Sequence, residues 1–192
     1  LRAQDRAEWN WHKWNELGGR SIAVVGYGPI GQEVARLAEA FDMVPTIVRR
    51  RALGDEPHPV RLLSELADVA RTHDAVVVAL PLTPDTEGII TADVLDAIGP
   101  TGYFVNVGRG ELVDQPGLTA ALVEGRLGGA GSDVTTPEPL PADDPLWAAP
   151  NLIITPHNSG STDGTGGRAD EAFLTNLERW VAGADLANEV AP

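Results

Sequence analysis

The sequence predicts an α/β fold, a doubly wound parallel sheet with helices on both faces. Three observations carry that prediction: continuous apolar runs, amphipathic stretches of helical period between them, and turn residues gathered at the junctions. Strands covered on both faces read as unbroken apolar runs, and their alternation with helices calls for parallel pairing. The length of 192 residues suits one generous domain or two small ones.

Taken in order, the stretch 1–17 has no turn signal before Gly18-Gly19 and reads as a helix. Its tryptophans Trp9, Trp11 and Trp14 do not share one helical face, so they meet either a partner or the chain's own sheet. Residues 21–25 form a strand, 30–41 a helix with Ile30, Val34, Leu37, Ala38 and Phe41 on one face, and 44–48 a second strand. The spacing then predicts a helix over 62–69, a buried strand over 75–80, and a helix over 91–98 that Thr91 caps. Residues 103–107 read as a strand, 118–124 as a helix, 129–134 and 152–155 as strands, and 168–181 as the last helix. Gly164, Gly166 and Gly167 would each cost about 1 kcal/mol inside a helix, which predicts a flexible loop over 160–167. There is no linker, repeat or low-complexity tract; with 21 glycines and 15 prolines the chain falls short of a disordered composition.

Composition narrows the function. A net charge of −14 argues against affinity for nucleic acid or an anionic membrane surface. The absence of cysteine excludes a disulfide framework, a thiolate metal site and a thiol nucleophile, and suits a cytoplasmic chain. No metal-ligand pattern stands out. No apolar run is long enough for a membrane span, and no signal peptide opens the chain, so a soluble protein is expected.

Gly26-Tyr27-Gly28-Pro29-Ile30-Gly31 follows the first strand and opens the first helix, the context of a Rossmann-type dinucleotide turn. Gly26 permits the tight turn, Gly28 lets backbone approach a pyrophosphate, and Gly31 lets helix and strand pack closely. The helix N-terminus supplies unpaired N–H donors, and Pro29 loses little at the first helical position. A sharp turn without a ligand would use the same glycines. At the end of the second strand, where an acid usually accepts from the ribose 2′-OH of NAD, the chain reads Arg49-Arg50-Arg51, with no acid before Asp55. Guanidiniums there would pair with a 2′-phosphate, predicting NADP over NAD; a solvated basic loop is the competing reading.

Four segments end predicted strands, where open α/β sheets bind ligands: Leu80-Pro81-Leu82-Thr83-Pro84-Asp85-Thr86, Asn106-Val107-Gly108-Arg109-Gly110, Asp133-Val134-Thr135-Thr136-Pro137-Glu138-Pro139 and Thr155-Pro156-His157-Asn158. Together, and in this order, they resemble the D-isomer-specific 2-hydroxyacid dehydrogenase family over nearly the whole chain, in particular its glyoxylate/hydroxypyruvate reductases or phosphoglycerate dehydrogenases. The resemblance implies an oxidoreductase that transfers a hydride between nicotinamide C4 and C2 of a small 2-oxo or 2-hydroxy acid. It assigns Arg109 to the substrate carboxylate and reacting oxygen, for which a guanidinium fork is suited. His157 becomes the acid/base, a role open to an imidazole with an unperturbed pKa of about 6.5. Glu138, stiffened between two prolines, is assigned to orient that ring, and Asp133 to contact the nicotinamide carboxamide. On chemistry alone Arg109 could be a surface ion-pair partner, Glu138 an exposed acid and Asp133 a strand-end cap. The remaining expected cofactor contacts are Tyr27, Pro29, Ile30, Leu80, Pro81, Val107 and Gly108. His12, His58 and His73 read as surface residues.

The chain departs from the family at Asp42, where many members have glycine, at Thr135, where the neighbour of the strand-end aspartate is often aromatic, and at the glycines 164–167. The family also carries a separate substrate domain before the linking helix. The chain therefore reads as a linker helix over 1–19 and an NAD(P)-binding domain over 20–192, a piece of a two-domain enzyme with the N-terminal substrate domain missing. Isolated, it should bind cofactor weakly and turn over little. Relatives are usually dimers through this domain, so a homodimer is expected. The alternative is a noncatalytic NAD(P)-sensing or corepressor-like module, which retention of Arg109, Glu138 and His157 disfavours.

Overall fold

The computed structural model describes residues 6–9, 11 and 15–189, which divide into two compact units, one ending at Ile154 and one beginning at Thr155. The first unit is built on seven parallel strands: β1 (Ser21–Val25), β2 (Val44–Arg49), β3 (Val60–Leu62), β4 (Ala75–Val78), β5 (Tyr103–Asn106), β6 (Gly129–Ser132) and β7 (Leu152–Ile154). They lie in the order β3-β2-β1-β4-β5-β6-β7, every pair parallel. The chain thus winds outward from β1 in one direction and from β4 in the other.

The period of two sorts the strand residues between two cores. Ala23, Val25, Val76, Val78 and Phe104 face α2 (Leu66–Thr72), α3 (Ala92–Ile98) and α4 (Gln115–Val123), which contribute Leu66, Val69, Leu95, Ile98, Leu118 and Leu122. Ile22, Val24 and Val77 face the other way, against Ala35 and Ala38 of α1 (Pro29–Ala40). That buried face of α1 consists of Gly31, Ala35 and Ala38. It corrects the expected one in part: Ala38 is buried and Val34 packs against this core, but Ile30, Leu37 and Phe41 are exposed. Small residues let the helix axis approach the sheet, and the larger apolar residues form a second, outward stripe.

Three further differences have local causes. β3 replaces the start of the helix expected at 62; it is a three-residue edge strand, too short for alternation to show. α4 begins three residues earlier than expected, because Asp114 accepts from Gly117 N at 3.0 Å and Pro116 sits harmlessly in the first turn. In the second unit α5 (Thr165–Val181) takes Gly166 and Gly167 into its first turn instead of leaving a loop there. Thr91 does cap α3, accepting from Val94 N. Asp42 has φ of 57°, a left-handed turn that glycine enters without steric cost, which accounts for the family's usual residue there.

The helix expected over 1–17 lies largely outside the described residues; those of it that are described are not helical. Trp9 and Trp11 are exposed, so neither packs on the sheet. Trp14 and His12 fall outside the described residues. Among the described residues no helix is long and apolar enough to cross a membrane.

One polar cluster ties the N-terminal edge of the sheet. Asp74, just before β4, accepts from the backbone N–H of Ser21 at 2.9 Å, its hydroxyl at 2.7 Å and Arg20 Nη1 at 2.7 Å. These donors, Ser21 N–H foremost, hold the Asp74 carboxyl down to about 2, against an ordinary value of 3.8. A carboxylate depressed by folding adds stability that is complete above the ordinary value and lost as pH falls toward the folded one. That shift corresponds to about 2.5 kcal/mol at most; since the side chain is 35% exposed, solvent screening brings the expected effect to about 1 kcal/mol. Asp74→Asn is expected to lower the unfolding free energy by about that amount at pH 7. The difference from wild type should fade between pH 4 and pH 2 in denaturant titrations; a constant difference across that window would refute the assignment.

Candidate functional site

Strand order reverses between β1 and β4, and the crevice at such a reversal is where open α/β sheets bind ligands. Gly26 N donates to Val48 O at 2.8 Å and Ala79 N to Val25 O at 2.8 Å, so the chain leaves β1 and β4 side by side. Gly26 has φ of 98°, and a β-carbon on it would stand 2.6 Å from Ala79 O. A β-carbon on Gly31 would collide with the Gly26 carbonyl. Gly28 differs: its φ is −79° and a β-carbon would meet nothing within 4 Å. Two glycines are thus required by packing, while the third leaves open space.

That space is a groove of about 740 Å³, walled by Gly26, Tyr27 and Gly28 on one side and by Leu80, Pro81 and Asp85 on the other, with Arg49, Arg50 and Arg51 among its lining residues. α1 starts at this wall with no side-chain cap and no acid in its first turn, leaving N–H donors for a ligand. Pro29 and Ile30 open the helix beside the groove and Gly31 is buried beneath it. Bare backbone, an uncapped helix start and a cationic stretch fit a dinucleotide, whose pyrophosphate needs close backbone approach. The three arginines differ in engagement. Arg49 Nη1 donates to Glu56 Oε1 at 2.9 Å, and Arg50 lies 3.7 Å from Asp85 with both side chains exposed. Arg51 is exposed. The far wall is shaped by Thr86, whose buried hydroxyl donates to Pro81 O at 2.7 Å and accepts from Thr83 N at 2.8 Å.

The loops after β4, β5 and β6 interlock next to this groove. A β-carbon on Gly108 would stand 2.9 Å from Leu80 O, and one on Gly110 would collide with Thr135 O. The glycines flanking Arg109 are therefore needed for packing. Arg109 itself is exposed, its Nη1 donating to Gly108 O at 2.7 Å. Its backbone is braced by buried Asn106, which accepts from Gly108 N at 3.0 Å and donates to Arg109 O at 2.9 Å. Val107 is half-buried against the α1 side of the sheet. Asp133 is buried just past β6, with Asp133 N donating to Asn106 O at 3.0 Å.

Glu138 is exposed, and its Oε1 accepts from Thr135 N at 3.0 Å. Both Thr136-Pro137 and Glu138-Pro139 are cis. Gln115 grips this loop from α4, accepting from Thr136 N and donating to Thr136 O, each at 2.9 Å. His157 belongs to the second unit, two residues into its first loop. There it is exposed with φ of 49°, and its N–H donates to Thr155 O at 3.0 Å. A left-handed backbone is uncommon outside glycine, and Asp42 and Asn151 adopt it as well.

Of the expected residues, those from Gly26 to Gly31, the arginines, Leu80 and Pro81 come together at the switch point, and Arg109, Asp133 and Glu138 on the neighbouring loops. Sequence reasoning passed over Asn106, Thr86, Gln115 and Glu56, which shape these loops; a buried amide ending an apolar strand was the one visible signal. A larger hollow of about 960 Å³ lies over β5–β7, lined in part by Tyr103, Gly129, Gly131 and Trp147; among the described residues that line it there is no acid, histidine or arginine. Among the described residues no group of three or more histidine or acidic side chains could hold a metal ion.

Residues 1–159 match the family model described as D-isomer specific 2-hydroxyacid dehydrogenase, NAD binding domain. The hydroxyphenylpyruvate reductase of Plectranthus scutellarioides is 38% identical over 175 residues, 91% of this chain and 55% of that protein. A D-isomer specific 2-hydroxyacid dehydrogenase from Xanthobacter autotrophicus, solved with NADPH and MES, superposes with a TM-score of 0.87 at 31% identity, over 100% of this chain and 78% of that one. An NADPH-dependent glyoxylate/hydroxypyruvate reductase from Sinorhizobium meliloti, solved with NADP and malonate, gives 0.84 at 30% identity, over 99% and 58%. The chain spans about half the length of the curated relatives it matches.

Proposed function

The chain belongs to the D-isomer specific 2-hydroxyacid dehydrogenase family, and from that premise we propose that it binds NADPH in preference to NADH and serves the reversible reduction of a small 2-oxo acid. The observation that carries this reading is the groove at the strand reversal, with open space at Gly28 on its wall and arginines where an NAD-binding acid would stand. Two relatives of known structure are complexes with NADPH or NADP, which supports the phosphorylated cofactor.

When bound, the nicotinamide cofactor supplies the hydride. The chain's own residues do the rest. Arg109 holds the substrate carboxylate with a guanidinium whose backbone Asn106 fixes, and its charge favours the negative charge that develops on the reacting oxygen. His157 gives a proton to that oxygen in the direction of reduction and takes it back in oxidation. The family resemblance assigns Glu138 to the acid/base as its orienting carboxylate, and Asp133 would hold the carboxamide end of the cofactor. The exposed stripe of Ile30, Leu37 and Phe41 supports self-association into a homodimer; a single monomeric species in sedimentation at all concentrations would remove that part.

Titration of the chain with NADPH and NADH, and a panel of glyoxylate, hydroxypyruvate, pyruvate and larger 2-oxo acids offered to the full-length protein, test the proposal. Tighter binding of NADPH and turnover of a panel member are expected. Binding without turnover of any member would favour a sensing module, and equal affinity for both cofactors would overturn the NADP preference.

A further inference from the structure

The three consecutive arginines lie on one loop but do not share one role. Between β2 and β3 the chain turns back through residues 50–59, and the centre of that turn is Glu56, whose side chain is only 5% exposed. Its Oε1 accepts from Arg49 Nη1 at 2.9 Å and from Leu53 N at 2.7 Å, and its Oε2 accepts from Gly54 N at 2.8 Å. The carboxylate is thus spent on the loop's backbone and on one guanidinium. The Leu53 N–H, with the other donors, holds it below the usual carboxylate range, so the latch stays charged at neutral pH.

We propose that Glu56 is the positioning residue for cofactor discrimination: it engages Arg49 as a strut and fixes the loop so that Arg50 and Arg51 alone are presented to a 2′-phosphate. This rests on the NADP reading given above. The charges support the division. Glu56 neutralises Arg49, leaving two exposed guanidiniums opposite a phosphate monoester of about two negative charges. Arg50 meets Asp85 at 3.7 Å, an exposed pair that an incoming phosphate displaces at small cost. Arg49, by contrast, cannot leave Glu56 without stripping a nearly buried carboxylate of its cation.

The experiment measures, in the 192-residue chain, the affinity for 2′,5′-ADP relative to 5′-ADP. The ratio isolates the 2′-phosphate, whereas a merely structural role would weaken both ligands together or lower Tm alone. Glu56→Gln has one acceptor oxygen in place of two and so cannot serve all three donors. It is expected to cut the ratio about tenfold, Arg49→Met by a similar factor, and the double variant no further, because both break the same latch. If Arg49 itself grips the phosphate, Glu56→Gln frees it and raises the ratio, which overturns the proposal. A wild-type preference for 2′,5′-ADP that Glu56→Gln leaves unchanged overturns the proposal alone. A wild-type ratio near one overturns the NADP reading and the proposal with it. Glu56→Asp, which keeps the charge and shortens the reach, gives the same reading should Glu56→Gln not fold: a lowered ratio supports the latch and an unchanged one overturns it.

Discussion

Gly28→Ala is expected to weaken dinucleotide binding about a hundredfold, roughly 2.7 kcal/mol, while leaving Tm where it is. The backbone at Gly28 has φ of −79° and ψ of −170°, which alanine adopts freely, and its added methyl would meet no atom within 4 Å. Nothing in the folded chain is disturbed. What the methyl does enter is the groove wall at the start of α1, where a pyrophosphate must come within hydrogen-bonding distance of backbone N–H groups. Gly31→Ala is the contrasting variant: its methyl would strike the Gly26 carbonyl and crowd Val24, forcing α1 off the sheet. It should lose binding and stability together, the latter by about 1–3 kcal/mol, the usual cost of overpacking. Calorimetric titration of NADPH beside thermal melts separates the two. A Gly28→Ala chain that binds NADPH as tightly as wild type would place the pyrophosphate elsewhere.

The contrast between these glycines shows where the sequence was readable. Spacing alone singled out Gly26, Gly28 and Gly31 because a strand, a turn and a helix had to follow one another there; Gly26 and Gly31 have no room for a β-carbon, and Gly28 borders open space. The strands were legible for a similar reason: runs such as Ala75–Val78, buried on both faces, have no other stable setting than a parallel sheet. Features that depend on tertiary distance were not. Apolar periodicity in α1 put Ile30, Val34, Leu37, Ala38 and Phe41 on one face; Val34 and Ala38 do pack on the sheet, but the close approach demanded by Gly31 adds Ala35 and leaves Ile30, Leu37 and Phe41 exposed. β3 has three residues and is defined by its pairing with Ile47, Val48 and Arg49, which no local pattern records. Glu56 looked like one more acid in an acidic chain; only the turn that returns it beside Arg49 gives it a partner. Local chemistry thus announced the groove, and long-range packing decided which side chains line it and which only hold it.

His157→Asn carries the largest expected effect on turnover. In the full-length protein, under the proposed reduction of a 2-oxo acid, the substitution should lower kcat by about 10²–10⁴-fold, the range that a positioned proton donor contributes, with the Kd for NADPH nearly unchanged. Asparagine is the informative replacement because His157 has φ of 49°, and asparagine tolerates that left-handed backbone better than alanine does. The Thr155 O to His157 N–H hydrogen bond can then persist, and the loop keeps its course. What is removed is the imidazole, the proposed proton donor and acceptor. Arg109→Met tests the complementary proposed role: it should raise KM for the 2-oxo acid as well as lower kcat, if the guanidinium serves both the carboxylate and the charge developing on oxygen. Histidine loss that chiefly weakened cofactor binding, with kcat preserved at saturation, would show that His157 lines the nucleotide site and leave proton transfer to another group.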